Sequence, residues 1–441
     1  MLVATGVAGC KDGASPGGSA RVEFMAGAVE PILTRGERFV IEGAGFGAEP
    51  GLVIFTRIGG GIIERAVADS DWTPFTVVTT VPDSAAPGHV ALALETASGT
   101  QLIATINVLP RSSFNPATLM WVARGTFPGA PAGVSVTAAE FPAAGGILRT
   151  TLYAAGGAEP PLMTPDSGVY VARVTRGGAG AIEAWIRQRD TTDPARTRVL
   201  PAPRAFAATV VATRFNSRFP GSALYVIGGI DKTGRAQASV LGADITADSV
   251  TGHFVPLEPL PTPLAGAIAV VRHGRIYVMG GADALGRPQS AVYMGRIGPD
   301  GHIDGWYVQP PLTGPRAYGA GVARGGRVVA IGGVADSVPP GGGLDTGGGT
   351  QRLVTGDTAA VSVLTGFFTG GWGAGPALLP EGRSQFVLFD FDSTVLVVGG
   401  MYAGAPTNSA ETLAAAATGG CSTAKTRSAR SRRCRSTISG T

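Results

Sequence analysis

The sequence predicts an all-β protein built from repeats, and three observations carry that prediction. Apolar strands ending in a glycine pair recur along it: Tyr225 to Gly229, Tyr277 to Gly281, Val329 to Gly333 and Leu396 to Gly400, with Tyr153 to Gly157 as a degenerate fifth. The second glycines fall at 157, 229, 281, 333 and 400, in steps of 72, 52, 52 and 67, and large aromatics at Trp121, Trp185, Phe254, Trp306 and Trp372 stretch and shrink with them. Finally, 441 residues with 68 Gly, 32 Pro and 44% hydrophobic content are ample for two cores but show little helical patterning. A unit that cannot bury both faces alone, repeated about every 50 residues, is the pattern of a β-propeller in which each repeat is one blade.

Residues 1–26 come first. Val7-Ala-Gly-Cys10 has the form of a bacterial lipoprotein processing site, and Lys11 to Ala20 is a polar Gly/Ser/Pro tether. The reading is that Cys10 is lipidated. Met1 to Gly9 is short and uncharged for a secretory signal, so the start codon is read as assigned too late.

Residues 27–109 form a separate unit. Phe39 to Gly47, Val53 to Phe55, Phe75 to Pro82, Gly88 to Leu94 and Ile103 to Val108 are short alternating strands divided by turn signals, which predicts a β-sandwich of about 80 residues. Its Gly45-Phe-Gly turn and Val81-Pro before Gly88 resemble the immunoglobulin-like TIG (IPT) domain. That resemblance implies a spacer or interaction module. The segment has no basic cluster, so no nucleic-acid partner is expected.

Residues 110–420 carry the repeats. Arg316 to Ala323 is read as an innermost strand, Gly- and Ala-rich to suit a crowded channel, and Arg327 to Gly333 as a buried apolar one. The diglycine gives the sharp exit. Ala291 to Ile297 follows as a third strand in the repeat before, then Pro299-Asp-Gly301 as a hairpin turn and an outer strand with Trp306. Longer repeats carry insertions at Asp190 to Ala195, Arg214 to Gly221 and Pro339 to Thr350. The diglycine, the aromatic 12 or 13 residues on (Tyr170, Tyr293), the Trp beyond it and the Leu200-Pro-Ala-Pro-Arg204 loop together resemble the kelch repeat over about three quarters of the chain. The repeat around Val240 to Phe254 departs, with no Tyr, Phe in place of Trp, and Leu264 where Arg204 would stand. Five diglycines imply five blade cores, and six or seven are read as the original number.

Residues 421–441 hold six of the 35 basic residues and no acid, leaving 29 bases against 31 acids elsewhere. The body is therefore near neutral. This tail is read as out of frame or disordered, starting inside the blade that follows Leu396 to Gly400. Cys421 and Cys434 lie in it, so the propeller body has no cysteine, which is compatible with export. No apolar run approaches the roughly 18 residues of a membrane span, so a lipid anchor is the only membrane contact expected.

Kelch resemblance implies enzymes as well as binding proteins, among them copper radical oxidases and a sugar mutarotase. The oxidases need a Tyr cross-linked to a Cys, which the propeller body lacks. Asp300-Gly-His302-Ile-Asp304 could put three ligands on one side of an extended segment, but the Asp-Gly is better read as the hairpin turn, and His89, His253 and His273 read as turn or surface residues. No nucleophile elbow, paired-His zinc motif or phosphate loop is present, and no cofactor or metal is expected. What remains is geometric. The links into successive inner strands carry Arg204, Arg316 and Arg383, three guanidiniums able to converge on a carboxylate, with Phe206 and Tyr318 beside them as stacking surface. Against this stands the reading that each Arg braces the neighbouring blade through backbone carbonyls. Three functions stay open: a non-enzymatic surface or periplasmic protein binding a glycan or protein partner, a carbohydrate-active kelch enzyme with an incomplete site, and a structural subunit of an extracellular assembly.

Overall fold

The computed structural model describes residues 21–22, 32–109, 127–175, 181–188, 198–213, 222–336, 356–374, 383–402 and 405–414, with short interruptions at loops. The described chain is all-β, with many antiparallel sheets and no α-helix. Cys10, Trp121, the insertions at 190–195, 214–221 and 339–350, and the basic tail lie outside the described residues.

The amino-terminal part contains two sheets. One has three strands, Arg21–Val22, Arg38–Glu42 and Thr76–Thr80 in spatial order. The other has five, in the order Ile32–Thr34, Gly99–Leu109, Gly88–Thr96, Leu52–Arg57 and Ile62–Ala66. Strict alternation does the packing work, since Val53 and Phe55, Val90, Leu92 and Leu94 all point one way and are buried. They share a single core with Phe39, Ile41 and Val77 of the smaller sheet. Burying a large apolar side chain contributes about 1.5–3 kcal/mol, and this core holds four aromatics, Phe39, Phe46, Phe55 and Trp72. Ile62–Ala66 was not read from the sequence because four of its five residues are exposed or charged-rich, with no alternation to see.

Five repeat sheets follow, each opened by the strand that precedes a diglycine strand. The second is a four-stranded meander, Ala208–Thr213, Ser222–Ile227, Val240–Ile245 and Val255–Leu257, and the third repeats it with Ile268–Arg272, Arg275–Met279, Val292–Ile297 and Ile303–Gln309. The fourth runs Ala320–Arg324, Arg327–Ile331, Gly356–Ala360 and Gly373–Ala374. The first starts with Ser135–Pro142, Leu148–Ala155 and Val169–Thr175, and the fifth shows Val387–Phe391, Thr394–Val398 and Ala410–Ala414. The first strands of consecutive sheets adjoin one another.

The strand expected from Arg316 starts four residues later, at Ala320. The cause is Tyr318, whose φ of 59° is left-handed and breaks the extended run.

Alternation along each first strand assigns its two faces to two different neighbours. Ala208, Val210 and Ala212 of the second sheet meet Ala267, Ala269 and Val271 of the third, while Ile268 and Val270 of the third turn the other way and pack with Val328 and Ala330 of the fourth. Both faces of a middle sheet are thereby covered. The outward-turned positions of the end sheets are not: Ile268 is 2% exposed, but Val387, at the equivalent place in the fifth sheet, is 55% exposed. On the first sheet Val136 is 49% exposed, against 8% for its equivalent, Thr209.

Candidate binding site at the diglycine ends of the repeat sheets

Three backbone features recur where consecutive sheets meet. The N–H of each second glycine donates to the carbonyl of one residue of the following link: Gly157 to Arg204, Gly229 to Leu264, Gly281 to Arg316 and Gly333 to Arg383, at 2.8–2.9 Å. The first glycine lies against that same carbonyl, so closely that a Cβ on Gly156, Gly228, Gly280 or Gly332 would overlap the carbonyl oxygen of Arg204, Leu264, Arg316 or Arg383. Two residues further on, one residue per sheet takes a left-handed φ: Gly133, Phe206, Gly266, Tyr318 and Gln385. These five are chained by hydrogen bonds, Phe206 N–H to Gly133 O, Gly266 to Phe206, Tyr318 to Gly266 and Gln385 to Tyr318, at 2.7–2.9 Å.

The sequence-predicted residues fall on this frame at equivalent positions. Arg204, Arg316 and Arg383 are each buried. Arg316 Nη1 donates to the carbonyls of Gly332 at 3.1 Å and Ala330 at 3.4 Å, and Arg383 Nη1 to that of Gly399 at 3.1 Å. Both therefore span from the preceding sheet, through their own carbonyl, to the diglycine of their own sheet, through the guanidinium. Arg204 differs, because its Nη2 donates to Ser239 Oγ at 2.5 Å while its Nη1 is buried with no acceptor among the described residues. Burial pulls the Arg204 guanidinium below its ordinary value, and Asp231 works against that fall.

Phe206 and Tyr318 are brought together. Their rings meet edge to face with centroids 5.7 Å apart, across the third sheet that separates their own. Glycine occupies the intervening position of the chain for a spatial reason: a Cβ on Gly266 would strike the Tyr318 ring, and one on Gly133 would come within 2.7 Å of the Phe206 ring. Neither aromatic needs its conformation for its own sake, since a left-handed φ costs an L-residue about 1–2 kcal/mol. Both residues are half-buried. Burial alone pushes the Tyr318 hydroxyl up to about 12.

The loops after the diglycines add features that the sequence reading passed over. Asp231 accepts from Thr233, Arg235 and Gln237, and Asp283 from Leu285, Arg287 and Gln289. Burial opposes ionisation of each carboxyl, but these donors outweigh it and hold both below the usual range. The signal was there to find, as Gly-Gly-x-Asp-x-x-Gly-Arg-x-Gln stands at both 228–237 and 280–289. Buried tyrosines of the diglycine strands were missed as braces too: Tyr225 Oη donates to Gly301 O at 2.7 Å and Tyr153 Oη to Thr246 O, each reaching the hairpin turn of the next sheet.

His302 and Asp300 pair on that hairpin, Nδ1 to Oδ2 at 3.0 Å, both exposed. The amide of His302 is the main reason that the Asp300 carboxyl sits below its usual range. Among the described residues, no three His, Cys, Asp or Glu side chains gather as a metal-ligand group. No helix among them is long and apolar enough to cross a membrane.

Compared with known proteins, the chain matches no family model and no curated protein.

Proposed function

We propose that the chain is a non-enzymatic binding protein of the cell surface or periplasm: a kelch-type propeller over residues 110–420, following a TIG-like, immunoglobulin-type sandwich over 27–109, tethered through a lipid on Cys10 and presenting the diglycine-end loops to a glycan or protein. The observation that carries this reading is the recurrence of one junction four times. The same glycine N–H, the same carbonyl and the same left-handed position join consecutive repeat sheets, a repeated frame that carries the loop after each diglycine at an equivalent place. Loops on a rigid β scaffold are where binding function concentrates.

The test uses the purified full chain on a glycan array and, in parallel, in assays of reducing-sugar turnover and of peroxide release with added copper. Saturable binding without turnover supports the reading. Turnover of a sugar, or peroxide release, overturns it in favour of a carbohydrate-active enzyme.

A further inference from the structure

A sheet with one face on a core ordinarily alternates apolar residues inward with polar residues outward. The larger sheet of the amino-terminal sandwich departs from that rule. Phe55, Leu92 and Ala104 point into the core, yet several of the residues that alternate with them are apolar too. Pairing register lines up Leu102, Ala93, Ile54 and Glu64 in one row across four strands, and Thr105, Ala91, Thr56 and Ile62 in the next row of the same face. Leu102 is 67% exposed and Ile62 66%, while Ala91, Ala93 and Ile54 are half-buried. The outward positions of Thr76–Thr80 in the smaller sheet hold closer to the rule, with a threonine on either side of Val78. Contiguous exposed apolar surface of this kind marks an interaction site.

Charge and relief say what fits it. Within the two rows only Glu64 is charged, and it stands on the outermost strand, Ile62–Ala66, so the middle of the face asks for a neutral, apolar partner surface. The outward positions at the centre of Gly88–Thr96 are the small Ala91 and Ala93, and those of the adjoining strand Leu52–Arg57 are Leu52, Ile54 and Thr56. A shallow groove therefore runs along one strand and a ridge along its neighbour, about 4.8 Å away. A face that carries its own groove beside its own ridge is complementary to itself, because a two-fold axis sends each ridge into the other groove. Size agrees with such a pairing. Four strands spaced about 4.8 Å apart and followed for about five residues each give a face of roughly 20 by 17 Å, and two such corrugated faces together remove roughly 1,000 Å² from water, the threshold of a specific, reversible association.

We propose that the chain pairs with a second copy of itself through this face, sheet on sheet, the Leu52, Ile54 and Thr56 ridge of each copy lying along the Ala91 and Ala93 groove of the other. The pairing does not depend on the binding reading. It adds to it, since a pair carries two sets of diglycine loops and gains from any ligand that offers two epitopes.

Sedimentation velocity of the full chain over about 1–300 µM tests this, with an expected reversible monomer–dimer equilibrium of Kd about 10–100 µM. Ile54→Lys and, separately, Leu102→Glu should each weaken it by at least about tenfold while melting within about 2 °C of the wild type, because both side chains point away from the core. Val78→Lys, on the outward face of the smaller sheet, should leave the Kd unchanged. If Ile54→Lys does not fold, Leu102→Glu decides alone, as its side chain is the more exposed. A wild type that stays monomeric throughout this range overturns the proposal, as does a dimer that the substitutions at Ile54 and Leu102 leave intact. Equal weakening by Val78→Lys also overturns it, since the loss would then not belong to this face.

Discussion

Replacing Gly280 by alanine should cost about 3–4 kcal/mol, well beyond the effect of the same change at Gly47. Gly47 has φ +81° and open space around it, so alanine there meets only the left-handed penalty, about 1–2 kcal/mol, reduced by about 0.4–1 kcal/mol because alanine restricts the unfolded chain. Gly280 has φ +61° and the same penalty, but its added Cβ overlaps the Arg316 carbonyl and lies 3.2 Å from Arg316 Cγ and 3.3 Å from Gln289 O. The obstacle is backbone, and it cannot move off without losing the Gly281 N–H to Arg316 O bond of 2.8 Å. That adds about 1–3 kcal/mol for overpacking and about 1 kcal/mol for the hydrogen bond. Urea unfolding followed by circular dichroism reads the cost as a shift in midpoint at constant slope. If Gly280→Ala falls within 0.5 kcal/mol of Gly47→Ala, the argument that the first glycine of each pair exists for contact between sheets is wrong. Gly156, Gly228 and Gly332 share the geometry and should follow Gly280.

Tyr225→Phe should lose about 1 kcal/mol, since it removes the bond to Gly301 O and little volume, and a thermal melt checks this. Arg316→Ala should cost about 2–4 kcal/mol, through the lost bonds to the Gly332 and Ala330 carbonyls and the void left beside them, and Arg316→Leu, which fills the void as Leu264 does but makes no bond, should still cost about 1 kcal/mol; a loss near zero for Arg316→Leu would deny the brace. Burial raises the hydroxyls of Tyr153, Tyr225 and Tyr318 above the ordinary value of 10.0, so the folded state holds these protons more tightly than the unfolded one. Their contribution is complete below pH 10.0 and is lost as pH rises through and above it, so absorbance at the phenolate band should show these three ionising only together with unfolding. Asp283→Ala should cost about 1–2 kcal/mol, by removing the acceptor of the Leu285 and Arg287 amides, and should loosen the 283–289 loop in hydrogen exchange.

The all-β character was legible because glycine pairs and alternating apolar strands are local signals. Tyr277 to Gly281 announces a buried strand and its end within five residues, and the strand Arg275–Met279 is where that pattern puts it. What escaped was set by contacts between strands far apart in sequence. Nothing near Ile62 marks it as a strand, since its partner Leu52–Arg57 supplies the order. Arg204, Arg316 and Arg383 could be placed at equivalent positions from sequence, but the difference among them could not, because it depends on Ser239 lying 35 residues beyond Arg204 and on the carbonyls of Ala330, Gly332 and Gly399. Phe206 and Tyr318 could be read as neighbours of the arginines. Their meeting across the third sheet could not, since it requires the glycine at 266 to stand between them.

The hydrogen-bonded chain through Gly133, Phe206, Gly266, Tyr318 and Gln385 has a direction, every N–H pointing back toward the sheet before it. Among the described residues, a middle sheet is thus gripped twice, once by its own donor and once by its own acceptor, and the first and fifth sheets once each. Amides of the second, third and fourth sheets should therefore exchange with solvent only in the rare events that break two grips together, while the first and fifth peel on their own. Among the five described repeat sheets, the Gly266 sheet should be the last to exchange its amides.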